Sequence, residues 1–127
     1  MMMVVAHKQN GYLDATRSVG MPREVEYQLF ARVTGKLNRG FRDDADFAEL
    51  VEALHENLTL WRTLAVEVLD EGNDLPEQLR AQIFYLFEFA CAHTPKVLRK
   101  EADVGALVDI NMSIMRGLRQ TSTAGQD

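Results

Sequence analysis

The sequence predicts an all-α protein, a compact antiparallel bundle of four main helices with a short extra helical turn. Three observations predict it. Apolar residues recur at steps of three and four through four separate segments, the period of an amphipathic helix. Cap-forming residues, prolines and glycines bound those segments, and the connections between them are short. No Asn-Gly or Asp-Gly hairpin signal and no sustained alternation argues for a sheet. A chain of 127 residues is sized for a single domain over 1–127. Its ordered part is expected over about residues 12–119, with flexible ends at 1–11 and 120–127.

The first helix is expected to begin at Pro22, which suits a first turn because it has no N–H to satisfy there. Val25, Leu29, Val33 and Leu37 follow at steps of four, with Phe30 beside them. Gly40 is a natural stop, tolerating a left-handed conformation. Gly35 lies inside the segment, at a cost of about 1 kcal/mol relative to alanine.

The second helix is announced by Asp46-Phe47-Ala48-Glu49, an aspartate variant of the capping box. Phe47, Leu50, Val51, Leu54, Leu58, Trp61, Ala65 and Val68 form its apolar stripe, and Gly72-Asn73 ends it. The third opens at the cap-like Asp74-Leu75-Pro76-Glu77. From Ile83 to Ala92 it is apolar almost all round, interrupted by Glu88, as expected of a helix covered on several sides or lying against a partner. Thr94-Pro95 is expected to break it, leaving Lys96 to Lys100 as a further turn or two. Asp103 then caps a last helix carrying Val104, Leu107, Val108, Ile110, Ile114, Met115 and Leu118. Gln120 to Asp127 is small and polar.

Composition excludes several classes. At 46% apolar, 26% charged and 8% aromatic, the chain can bury a core, so disorder and collagen are set aside. A formal charge of −5 disfavours a protein that lives by neutralising phosphates. The single cysteine, Cys91, allows no intramolecular disulfide. Met1 to Ala6 is too short an apolar run for a secretory signal, and its basic residue follows it. No stretch approaches a membrane helix. A cytoplasmic protein is expected.

Candidate chemistry is sparse. Cys91 and His93 are close in sequence, but a metal site needs further ligands, and His7 and His55 are distant. They are read as a core cysteine beside a helix-terminal histidine. Asp43, Asp44, Asp46 and Glu49 lack the looped alternation of a calcium site and are read as charge favouring a helix N-terminus. His55 is read as a surface residue. No glycine-rich phosphate loop, Ser/His/Asp order or zinc-finger spacing occurs. No metal, cofactor or small-molecule substrate is expected, and no enzyme. Arg32, Lys36, Arg39 and Arg42 fall at steps of three or four and form one basic stripe. It is read first as a solvated face, and second as an RNA contact.

Several short runs together resemble one family. These are Pro22-Arg23 with Glu24-Val25-Glu26-Tyr27-Gln28-Leu29-Phe30, and Leu60-Trp61-Arg62-Thr63-Leu64. Next comes Asn73-Asp74-Leu75-Pro76-Glu77-Gln78-Leu79-Arg80-Ala81. His93 with Lys96-Val97-Leu98, and Asp109-Ile110-Asn111-Met112-Ser113-Ile114-Met115-Arg116-Gly117-Leu118, complete the set. In this order and spacing the chain resembles the FlaF family of flagellar biosynthesis regulators, from about Tyr12 to Leu118. Met1 to Asn10 then reads as an extension or an early start codon. Met21 stands where a Ser or Thr cap is expected.

The resemblance implies a small, all-helical, non-enzymatic protein of alphaproteobacteria that promotes flagellin synthesis and export. The implied partner is flagellin, bound in a chaperone-like manner. The alternative is translational control through an FlbT-like regulator or the flagellin mRNA. Surplus large apolar side chains could form a groove for an amphipathic helix. The candidates for that groove, or for core, are Trp61, Phe84, Phe87, Ile110 and Met115. The RNA-facing alternative is the stripe Arg32, Lys36, Arg39 and Arg42.

Overall fold

The structure, a computed structural model, describes residues 23–41 and 46–126. Its elements are α1 (Arg23–Asn38), a 3-10 turn (Arg39–Phe41), α2 (Phe47–Leu69), α3 (Glu77–Leu98) and α4 (Gly105–Gln126). Among the described residues there is no strand. The start of α1 at Pro22, the cap position Met21 and the segment 1–11 lie outside the described residues.

Paired residues fix the topology. Phe30 of α1 meets Trp61 of α2, and Lys36 meets Glu56, so these helices are antiparallel. Tyr27 meets Arg119 and Thr34 meets Asn111, which makes α1 and α4 antiparallel as well. Val68 meets Arg80 and Phe47 meets Lys100 across α2 and α3. Leu79 approaches Gly117 and His93 meets Asp103 across α3 and α4. The chain is an up-down-up-down bundle in which α1 packs most extensively on α4 and α2 on α3. The core runs down its axis through Phe30, Leu37, Leu54, Trp61, Leu64, Ile83, Leu107, Ile114 and Leu118.

Helix ends follow side-chain chemistry. Asp46 accepts from the Ala48 N–H at 2.9 Å and caps α2. Asp103 accepts from Gly105 N–H at 2.7 Å at the start of α4. Asp74 does not act as the expected cap. Pro76 holds the cap position of α3 with no side-chain hydrogen bond, while Asp74 pairs with Arg23 of α1. Asn73 instead shapes the turn, accepting from Leu75 N–H at 3.0 Å. Arg80 reaches back to donate to the Val68 carbonyl at 2.8 and 3.0 Å, satisfying the end of α2.

Three further expectations are corrected. Pro95 does not break α3, which continues to Leu98. A proline near a helix end forfeits one hydrogen bond, and the neighbouring Thr94 hydroxyl donates to the Ala90 carbonyl at 2.7 Å. The stop comes five residues later in a Schellman arrangement: Lys100 N–H bonds Val97 O at 3.0 Å and Glu101 N–H bonds Lys96 O at 2.8 Å. Lys100 takes the left-handed position there, at φ 62°. The short extra turn is therefore Arg39–Phe41 rather than Lys96 to Lys100. Gly40 sits in it for closeness, not for a left-handed backbone: a Cβ would lie 2.8 Å from Leu50 Cδ1. α4 itself runs to Gln126, over the small polar residues that follow Arg119. Their helix propensities are unexceptional, and propagation from a formed helix is far easier than nucleation.

Candidate functional site

A polar network lies inside the bundle. Asn111 of α4 accepts from Trp61 Nε1 at 2.8 Å and donates to Asn57 Oδ1 at 2.8 Å and Thr34 Oγ1 at 3.1 Å. Asn57, Trp61 and Asn111 are fully buried. Every hydrogen-bonding capacity of Asn111 that this site can meet is met, whereas Asn57 Nδ2 has no partner. The network joins α1, α2 and α4 in one register. It is structural glue, and Trp61 belongs to it.

A second polar cluster ties the start of α1 to the turn between α2 and α3. Arg23 bridges buried Glu26, at 2.8 Å, and exposed Asp74. Burial disfavours the Arg23 guanidinium charge, but the two carboxylates outweigh it and hold its pKa above the ordinary arginine value. Among the described residues no group of three or more His, Cys, Asp or Glu is placed to hold a metal ion. Cys91 is half-buried, and His93 is stacked on Phe89 with Nε2 2.8 Å from the Asp103 carbonyl.

The unsatisfied feature of the surface is apolar. Large exposed apolar side chains are concentrated on α2 and α3: Phe47, Val51, Val66 and Leu69 on the first, Phe84, Tyr85, Phe89 and Leu98 on the second. Among the described residues, α1 and α4 contribute only Val25 and Met112. Helical geometry places many of these along one seam. On α2, Glu56 faces α1 through Lys36, so Phe47, Val51, half-buried Leu58 and Leu69, on the opposite flank, face α3. On α3, Leu79 and His93 face α4, so Phe84, Phe87, Cys91 and Leu98 face α2. Phe84 and Phe87 lie together with ring centroids 6.2 Å apart. Lys100 covers one end of the seam, its ammonium 5.6 Å from the Phe47 ring centre.

The five apolar candidates thus divide. Phe84 and Phe87 sit on the seam. Trp61 and Met115 are in the core, the latter 4.0 Å from the Thr34 hydroxyl. Ile110 is half-buried on the flank of α4 that faces α3. An open cleft of about 420 Å³ lies farther along that α3–α4 border, lined by Leu79, Gln82, Ser113 and Arg116 among others. Phe47, Val51, Leu69 and Leu98 were missed as site residues. Their one sequence signal is position: Phe47, Leu69 and Leu98 stand in the first or last turn of a helix, where neighbours cover least.

The basic stripe is divided too. Arg32 and Arg39 are exposed. Lys36 is spent on Glu56, with both carboxylate oxygens at 2.9 Å. Arg42 lies outside the described residues.

Fold and surface together define an all-helical bundle with a stitched polar interior and an uncovered apolar seam. Among the described residues no helix is long and apolar enough to cross a membrane. Residues 8–118 match the family model of the flagellar protein FlaF, and the chain belongs to that family. It is a flagellar protein. No curated protein and no solved structure matches it.

Proposed function

We propose that this protein binds flagellin in the cytoplasm as a chaperone-like factor that promotes flagellin synthesis and export, acting by binding and not by catalysis. The observation that supports this reading is the α2–α3 seam. Phe47, Val51, Leu69, Phe84 and Leu98 are each more than a third exposed on adjoining flanks of two helices. Contiguous apolar surface of that kind marks a docking site, and an amphipathic helix laid along it buries its own apolar face. Flagellin ends are amphipathic helices that need such cover before export.

The test is calorimetric titration with flagellin of the same organism, using wild type and the double variant Phe84→Ala/Leu69→Ala. Binding in the micromolar range or tighter, with a negative heat-capacity change, is expected for wild type. The double variant should bind at least about tenfold more weakly, since each deleted side chain forfeits apolar burial worth on the order of 1 kcal/mol or more. Its melting temperature should fall by several degrees at most, for the part of the Phe84 ring buried against the bundle, and leave it folded at the titration temperature. No binding between two folded proteins, or binding indifferent to the double variant, would refute the reading.

Action on translation, through an FlbT-like regulator or the flagellin mRNA, is the second reading. Exposed Arg32 and Arg39 favour it. Its signature is messenger binding that weakens steeply with salt and disappears when those two charges are reversed.

A further inference from the structure

The outward face of α3, opposite buried Ile83, Ala90 and Thr94, carries a pattern that neither the bundle nor the seam uses. Glu77, Ala81, Tyr85, Glu88, Ala92 and Lys96 are all exposed, Tyr85 at 70%. Their spacing of four, four, three, four and four keeps them within an arc of about 100°. Steps of three and four keep such residues side by side along a helix, here in one stripe on the side away from the core.

The pattern is also symmetric. Tyr85 and Glu88, Ala81 and Ala92, and Glu77 and Lys96 are each centred on one point of the helix, midway between Leu86 and Phe87. A twofold axis through that point lays a second α3 antiparallel to the first. Ala81 then meets the level of Ala92 of the other copy, and two small residues let the backbones approach. Tyr85 meets the level of Glu88, where its hydroxyl can donate to the carboxylate. The acidic first turn, with Glu77, meets the basic last turn, with Lys96, at both ends. Among the described residues neither Glu77 nor Lys96 has an ion-pair partner within the chain.

We propose that this chain self-associates through the outward face of α3 as an antiparallel twofold dimer. The occupant of the face is a second copy, because the charge pattern complements itself only on reversal. A closed, isologous contact of this kind is the commonest route to a homodimer. The proposal does not depend on flagellin binding, whose seam is the neighbouring flank of the helix.

The test is sedimentation equilibrium of the purified protein from micromolar to near-millimolar concentration. The expected mass rises from one chain to two. Ala92→Glu, on an exposed position, should leave helicity and melting unchanged and hold the protein as a monomer. Lys96→Glu places like charges at both ends and should weaken the dimer about tenfold. Adding Glu77→Lys to Lys96→Glu restores opposite signs and should return most of the affinity. In a Cys91→Ala background, Ala81→Cys/Ala92→Cys should oxidise to a covalent dimer, while either single cysteine should not. A single-chain mass at every concentration would overturn the proposal. So would a dimer indifferent to both Ala92→Glu and Lys96→Glu.

Discussion

Replacing Asn111 with leucine should cost this protein several times more stability than the same replacement at Asn57. Both residues are fully buried and share the 2.8 Å bond from Asn111 Nδ2 to Asn57 Oδ1. Their losses differ. Without the Asn111 amide, Trp61 Nε1 loses its acceptor and the Asn57 carbonyl loses its donor. Asn57 Nδ2 already has no partner, so its whole amide would then be buried and unmet. Each stranded group costs about 1–3 kcal/mol, so Asn111→Leu should lose about 4 kcal/mol. Asn57→Leu removes one bond but also removes the orphan amide, and Asn111 Nδ2 keeps its bond to Thr34 at 3.1 Å. The net cost should be about 0–1 kcal/mol. A loss of 4 is a large share of the roughly 5–15 kcal/mol typical of a domain. The assay is urea unfolding followed by far-UV circular dichroism and by the fluorescence of Trp61, with the slope checked for constancy. Equal losses at the two positions, or a larger one at Asn57, would refute the reasoning from satisfied and unsatisfied groups.

Three smaller perturbations follow from local geometry. Gly35 is exposed on α1, and a Cβ there would meet nothing within 4 Å, so Gly35→Ala should raise stability by about 0.5–1 kcal/mol in thermal melts. Lys100 holds a left-handed backbone at φ 62°, so Lys100→Gly should stabilise by up to ~1 kcal/mol, less the contact with the Phe47 ring; a net loss in urea unfolding would mean that the ring contact outweighs the backbone. Arg80→Met keeps the aliphatic stem but removes the hydrogen bonds to the Val68 and Asp70 carbonyls. It should cost about 1.5–3 kcal/mol in the same measurement, the range for hydrogen bonds made by a charged group.

The fold was largely legible because its signals are local. Asp46 and Asp103 cap where their spacing places them, and the residues at steps of three and four in α4 are the ones that pack inward. The failures come from long-range competition. Asp74 is a good cap in isolation, but Arg23 lies beside it in the fold and takes its carboxylate. Pro95 is a breaker in isolation, but α3 needed only a few residues more, and packing through Val97 holds that last turn. The site was half legible. Periodicity shows which flank of a helix is apolar, but not how much of it a neighbour covers. Trp61 and Phe84 are alike as sequence signals, yet one is sealed among Phe30 and Asn111 and the other is 37% exposed. The network itself was invisible, since Thr34, Asn57 and Asn111 are polar residues on three different helices.

The division between stitched interior and open seam has a mechanical consequence. The network fixes α1, α2 and α4, because a slip of one turn would strand the Trp61 N–H and the Asn111 amide together. α3 has no share in it. Among the described residues, the side-chain hydrogen bonds that join α3 to other elements come from Arg80 near its start and His93 towards its end. Its middle, with Phe84 and Phe87 on the seam and Tyr85 on the outer face, is held by apolar packing alone. Non-directional contacts tolerate small lateral shifts that a hydrogen-bonded register forbids. The seam thus has one fixed wall, α2, and one adjustable wall, α3. A partner helix meets a preorganised surface on one side, which limits the ordering cost of binding, and a wall on the other that can close on side chains of differing size.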